Sequence, residues 1–260
     1  MATPSGERVH KVLARAGWGS RREIERWIGA GRIRINGKLA ELGARVEPGD
    51  RVQLDKGRAL RIEPQRHDLR VLAYNKPAGV VCTRRDEKGR PTVFGDLPRI
   101  KPGRWINVGR LDINTSGLLL FTNHGDLAHR LMHPSHAVDR EYAARVFGRV
   151  DNAMLANLRH GVNIDRERLH FDDIVVGDGN GANRWYYCLV QRGRHREVRK
   201  LWESQGVKVS RLTRVRFGNI MLPTDLRAGR YVELGGTLVD DLCDLVGIES
   251  VRHESRSRRA

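Results

Sequence analysis

The chain has 260 residues with 48 Lys+Arg against 31 Asp+Glu, giving a formal charge of +17 and a pI near 10.7. That length holds one or two domains, and a hydrophobic content of 39% excludes wholesale disorder. The longest apolar run, Trp185 to Val190, is far short of the roughly 20 residues of a membrane span, so the charge points to a polyanionic partner.

The start of the chain, Met1 to Gly6, is polar and is not followed by the apolar stretch of a secretory signal. Cys82, Cys188 and Cys243 are odd in number, far apart and flanked by apolar residues, which reads as buried thiols rather than a disulfide framework. A reducing, cytoplasmic setting is expected. Residues 1–67 carry 15 Lys+Arg and 8 Asp+Glu, whereas residues 68–250 carry 29 and 22, so the first segment has more than twice the charge density. It is the better candidate for a dedicated polyanion-binding module.

In that segment Val9, Val12, Leu13 and Ala16 recur at helical spacing, and Gly17 and Gly19 end the stretch. A second helix is expected from Ser20, which has capping-box spacing to Glu23, with Ile24, Trp27 and Ile28 as its apolar face and Arg21, Arg22 and Arg26 on the other side. Arg32-Ile-Arg34-Ile35 alternates at strand period, and Asn36-Gly37 before Lys38 is a hairpin signal. Pro48-Gly-Asp50 then precedes another strand-like run, Arg51 to Leu54. Lys56 to Asp68 is polar and basic and reads as a linker, which places a first domain at 6–66, a second at 67–249 and a basic tail at 250–260.

After the linker, strand-like runs cover Val71 to Tyr74, Trp105 to Val108, Leu118 to Thr122, Tyr142 to Phe147, Trp185 to Gln191 and Val207 to Arg216. Helical stretches lie near Leu127 to Met132, Asn152 to Arg159, Glu197 to Ser204 and Leu238 to Leu245. Strands outnumber helices, and several are too close together for a crossover helix, so an α+β fold on a mixed, largely antiparallel sheet is expected. Gly177-Asp-Gly-Asn-Gly181 reads as a flexible hairpin tip, and it lacks the strand–helix setting of a dinucleotide site. His129 and His133 have i, i+4 spacing, but residue 130 is Arg and Pro134 ends the helix, so no metal is expected.

Asp112 is the one carboxylate of a Gly-bounded loop, Gly109 to Gly117, set between two strand-like runs, where a rigid scaffold can present a reactive group. From the residues alone it is equally a turn or capping aspartate. Resemblances decide between these readings. Residues 6–55, with Val12 to Gly17, Ser20 to Ile24 and Gly31 to Gly37, resemble the S-four RNA-binding domain. Gly109-Arg-Leu-Asp112 with Thr115 to Leu120, Tyr74 to Gly79, Arg140-Glu-Tyr142 and Gly193 to Arg199 resemble, in order, the motifs of RNA pseudouridine synthases of the RsuA/RluA superfamily. The segments Cys82 to Phe94, His129 to Pro134 and Val209 to Leu212 are similar to the type that modifies large-subunit ribosomal RNA. Arg196-Glu197 departs from the commoner His-Gln of the superfamily.

The resemblance implies isomerisation of uridine to pseudouridine in 23S ribosomal RNA or a large-subunit precursor, without a cofactor, by a monomer. It implies Asp112 as nucleophile or as base at the neighbouring sugar carbon, Tyr142 stacked on uracil, and Arg199 as the guanidinium that keeps Asp112 ionised. Lys76 is expected either to contact phosphate or to brace the Asp112 loop. The expected RNA contacts are Arg21, Arg22, Arg26, Arg32, Arg34 and Lys38 in the first domain, and Lys76, Arg110, Arg194 and Arg196 in the second. Two other readings are a non-catalytic RNA-binding or ribosome-assembly factor on a dead synthase fold, against which stands the retention of Asp112, Tyr142 and Arg199, and a methyltransferase, for which no Gly-rich strand–helix turn is found.

Overall fold

A computed structural model of the chain describes residues 6–63, 69–101, 103–180 and 182–249; the expected C-terminal tail, Pro64 and Gly181 lie outside the described residues. The chain divides into two compact units, Met1–Leu69 with Arg99–Trp105, and Arg70–Pro98 with Ile106–Ala260. Arg99–Trp105 groups with the first unit although it lies within the segment expected to form the second.

The first unit begins with β1 (Glu7–Arg8), α1 (Val9–Arg15) and α2 (Arg21–Gly29). The helix α2 starts on a full capping box: the Ser20 hydroxyl accepts the Glu23 N–H at 3.1 Å and the Glu23 carboxylate accepts the Ser20 N–H at 3.2 Å. Then follow β2 (Ile33–Ile35), β3 (Lys38–Leu39), β4 (Arg45–Val46), β5 (Arg51–Leu54) and β6 (Leu60–Arg61), with sheet order β3-β2-β5-β6 and a separate β1-β4 pair. The β2–β3 hairpin turns through Asn36 (φ 49°) and Gly37 (φ 84°), the paired positive φ angles that the Asn-Gly signal anticipates. Val9, Leu13, Ile24, Ile33 and Val52 form the centre of the core. Part of the expected linker is structural: Leu60 packs against this core and Ile62 is buried in it, which makes β6 an edge strand.

The second unit is built on a nine-stranded sheet. Its elements in chain order are β7 (Val71–Lys76), β8 (Ile106–Val108), β9 (Ser116–Thr122), α3 (Gly125–Met132), β10 (Arg140–Phe147), α4 (Asn152–His160), the hairpin β11 (Val162–Ile164) and β12 (Glu167–Leu169), β13 (Asp173–Asn180), β14 (Asn183–Val190), α5 (Glu197–Glu203), β15 (Lys208–Phe217), β16 (Ile220–Met221), β17 (Tyr231–Glu233) and α6 (Gly236–Asp244). Strand order is β13-β14-β10-β15-β9-β7-β17, with β16 on β15 and β8 on β9; β11 and β12 pair apart from it. Every pairing in the large sheet is antiparallel except β9 with β15. The expected mixed, largely antiparallel sheet is therefore present.

One local reading is corrected. The expected hairpin is present, since β13 and β14 pair up to Asn180 and Asn183, but Gly177 to Asn180 belong to the strand and not to its tip; the register shifts between Val176 and Gly179, so the glycines mark a β-bulge. The single parallel junction depends on another glycine. Gly117 sits at φ +100°, and a Cβ there would lie 2.3 Å from the Arg214 carbonyl oxygen and 2.8 Å from its nitrogen. Gly117→Ala therefore combines backbone strain with a clash against backbone, and should destabilise the protein by about 3 kcal/mol or more in urea unfolding. A loss under about 0.5 kcal/mol would show that β9 and β15 can separate at little cost.

Candidate active site

The chain leaves β8 at Gly109 and re-enters the sheet at Ser116 in β9, and Asp112 lies in the loop between. This loop is held by its own backbone. Ile113 accepts the Gly79 N–H at 2.7 Å, Thr115 N–H donates to the Asp112 carbonyl at 3.0 Å, and Leu111 N–H reaches the Cys82 Sγ at 3.4 Å. Two buried cations complete the clamp. The Lys76 ammonium donates to the carbonyls of Thr115 (2.8 Å), Pro77 (2.9 Å) and Ile113 (3.4 Å), and the Arg199 guanidinium donates to Asn114 (3.0 Å) and Val209 (2.9 Å).

The two cations compare differently with expectation. Lys76 has no exposed surface and three carbonyl partners, so it does not contact phosphate; it braces the loop, the other of the two expected roles. Burial pulls its pKa down, while Cys82 and Asp112 raise it. Arg199 makes no ion pair with Asp112 among the described residues; its two terminal nitrogens donate to carbonyls instead. Its Nε is buried with no partner among the described residues. Burial and Arg196 lower its pKa, and Asp112 is near enough to raise it, so the two groups interact through space.

Asp112 and Tyr142 line one cavity of about 830 Å3, within the roughly 300–1,000 Å3 range of small-ligand sites. Tyr142 is buried on β10, across from Cys188 on β14 and Arg214 on β15. Leu212 and Val190 add apolar wall. Arg110, Arg194 and Arg196 line the cavity, the first two exposed and the third half-buried. Arg194 pairs with Glu167 at 3.1 Å and Arg196 with Glu203 at 3.3 Å.

Three further buried charges in the wall escaped sequence reasoning. Arg214 is 2% exposed; its Nε donates to the Leu118 carbonyl at 2.7 Å, and one terminal nitrogen has no partner among the described residues. Arg140 donates to the carbonyls of Val138 (2.9 Å), Leu131 (3.3 Å) and Gln191. The two guanidiniums each stack on Phe217 at 5.1 Å. Glu197 is buried and accepts the Arg194 N–H at 2.8 Å, which fixes the loop before α5. The available signal was alternation, since Arg214 shares a strand face with Leu212 and so follows the core face inward.

In the first unit, Arg21, Arg22 and Arg26 are exposed on α2, and Arg34 and Lys38 are exposed on the β2–β3 hairpin. Arg32 is exposed too, but its guanidinium is engaged by both oxygens of Asp55 (Nε at 3.0 and 3.2 Å), so its charge is largely matched. His129, His133 and His136 stack edge to face, and among the described residues no cluster of three or more side chains has the arrangement of a metal site.

Residues 70–204 match the RNA pseudouridylate synthase family, just over half of the chain. The chain belongs to this family. Residues 7–52 match the S4 domain. The ribosomal large subunit pseudouridine synthase B of Pseudomonas aeruginosa is 53% identical over 249 residues, covering 95% of this chain and 64% of that protein. The protein of the same name from Escherichia coli K12 is 53% identical over 243 residues, covering 92% and 83%. This chain thus spans about two thirds of the length of the Pseudomonas relative. A crystal structure of a pseudouridylate synthase superposes with a TM-score of 0.63 at 24% identity, covering 90% of this chain and 99% of that one, which shows the shared fold. Within the family match lie Lys76, Asp112, Tyr142, Glu197 and Arg199; Arg214 lies beyond it.

The clamp predicts a stability effect. Lys76→Met fits the apolar surroundings but leaves three carbonyls without their donor, so it should cost about 2–4 kcal/mol in urea unfolding. A neutral or stabilising result would mean that burying the ammonium costs as much as its bonds return. Glu197 predicts a pH effect. Burial raises its pKa above 4.5, against the pull of the Arg194 N–H and of Arg140. The folded state then holds the proton more tightly than the unfolded chain, and Glu197's contribution falls as pH rises from about 4.5 through its folded value. Glu197→Gln keeps an acceptor for the Arg194 N–H without titrating, so it should gain stability relative to the parent as pH rises above about 4.5. A difference independent of pH would refute this.

Proposed function

We propose that this protein isomerises a uridine of 23S ribosomal RNA, free or in a large-subunit precursor, to pseudouridine. The observation that carries the reading is a carboxylate on a loop clamped by buried cations, facing a nucleotide-sized basic cavity, in a member of the RNA pseudouridylate synthase family. The ribosomal target is supported by the names of the relatives at 53% identity.

The reaction breaks the bond from ribose C1′ to uracil N1, turns the base and joins C1′ to C5; the C5 proton is given up and N1 gains one. Product and substrate are isomers, so no redox group or transferred fragment is needed. Asp112 serves as nucleophile at C1′ or as base at C2′, both of which need it ionised. Arg199 and Lys76 are positioning residues in this scheme: they fix the backbone of the loop and supply positive potential beside the carboxylate. Tyr142 stacks on the extruded uracil. Arg110, Arg194 and Arg196 hold phosphates of a nucleotide whose extrusion costs a few kcal/mol, and the exposed arginines of α2 with Arg34 and Lys38 add sequence-independent affinity. In this reading the protein acts as a monomer in the cytoplasm, where ribosomal RNA is made and modified.

Asp112→Asn preserves size and removes the charge. Single-turnover assays on a 23S fragment should show product formation lost by at least about four orders of magnitude with RNA affinity within about threefold of the parent. Near-normal conversion would remove Asp112 from the chemistry, and parent protein that binds RNA without converting it would favour the non-catalytic reading.

A further inference from the structure

A second cavity of about 480 Å3 lies beside the first and shares Arg192 and Arg194 with it. Its remaining walls come from the C-terminal turn of α4, with Arg159 and His160, from the β11–β12 hairpin, with Glu167 and Arg168, and from His170 just after it. The way these arginines are held is informative. Arg159 donates to the Ile174 carbonyl at 2.6 Å, Arg168 to the His160 carbonyl at 2.9 Å and Arg192 to the Arg168 carbonyl at 3.3 Å.

A carbonyl orients a guanidinium without cancelling its charge, whereas a carboxylate does both. Among the described residues only Arg194 of these faces an acid, Glu167 at 3.1 Å, and that is the one carboxylate of the lining. Four fixed guanidiniums against one carboxylate leave about three uncompensated charges in a recess, before any ligand arrives. Guanidiniums with free N–H edges suit the paired oxygens of phosphodiesters. A strand whose nucleotide enters the Asp112 cavity can continue into the second without leaving Arg192 and Arg194, since both residues line both recesses.

We propose that the second cavity is an RNA backbone site: it holds phosphodiesters flanking the target uridine on one side and so fixes the direction in which the strand crosses the active site. The proposal rests on the RNA-modifying function above. It adds a contact surface on α4 and the β11–β12 hairpin that no family motif marks.

The test uses the full-length protein and a 23S fragment that contains the modified uridine, with binding measured across a salt titration. Arg159→Gln with Arg168→Gln keeps a side-chain N–H for each carbonyl and removes two charges, so the log–log salt slope should fall by roughly 1.4–1.8, at about 0.7–0.9 per lost phosphate contact. Arg159→Lys with Arg168→Lys keeps the charges and should retain the parent slope, which separates lost contacts from damaged folding. Shortening the RNA on one side of the uridine should weaken the parent more than the Gln variant, while shortening the other side weakens both alike. A slope unchanged in the Gln variant, or equal length effects on both proteins, would overturn the proposal; a response to inorganic phosphate competition without any dependence on RNA length would point to a free-anion site and overturn it as well. Absence of pseudouridine with the parent protein would count against the proposed function alone, because the slope comparison still decides whether the cavity holds RNA.

Discussion

The arrangement around Asp112 depends on one constraint: three successive backbone carbonyls, at Ile113, Asn114 and Thr115, are captured by cations that have no exposure or almost none. A loop leaving a sheet has carbonyls that the strand ladder no longer satisfies, and a buried one without a partner is costly. Here Lys76 at the end of β7 and Arg199 on α5 supply the donors, so two distant segments converge on seven residues of loop. The bonds that satisfy the backbone also place positive charge beneath the carboxylate. Structural and electrostatic demands are met by the same atoms.

The same device recurs through the second unit. Arg140, Arg159, Arg168, Arg192 and Arg214 are all oriented by carbonyl oxygens rather than by carboxylates. Ion pairing would orient them equally well but would leave little field for a polyanion. Carbonyl anchoring costs more in desolvation where the side chain is buried, as the lowered pKa of Arg140 and Arg199 indicates, and it returns a surface that is both rigid and positive. The contrast with Arg32 is instructive, since Asp55 orients it and also matches its charge. High net charge in the sequence therefore says less about the binding surface than the identity of each arginine's partner does.

Much of the architecture was legible because it is local. The Ser20–Glu23 capping box, the Asn36-Gly37 turn and the strand-like apolar runs that became β7, β9, β10, β14 and β15 each depend on a few neighbouring residues. Departures came where a distant partner decides the conformation. Gly177 to Asn180 looks like a turn by composition, but pairing with β14 draws it into a strand with a bulge. Leu60 to Ile62 looks like linker until the first-unit core takes up its apolar side chains. The hairpin of β11 and β12 and the edge strand β17 are three residues per strand, too short to show a period.

For the site, the family resemblance singled out Asp112, Tyr142 and Arg199 and the arginine-rich segment around them, because that resemblance is carried in short runs of distinctive residues. What each cation touches was decided only by the tertiary structure. Lys76 could be read as a phosphate contact or as a brace for the Asp112 loop, and nothing in Asn75-Lys76-Pro77 by itself chooses between them or marks the carbonyls of Ile113 and Thr115 as its partners. Arg199 could bond a carboxylate or a carbonyl with equal chemistry; the register of α5 against the Asp112 loop gives it Asn114 and Val209. Arg214 sits one strand away from Tyr142 but 72 positions away in the chain, and the parallel junction at Gly117 brings its backbone against β9. Hydrogen-bond partners depend on ångström-scale placement of segments far apart in sequence, and that placement is set by sheet order and packing, not by the residues on either side.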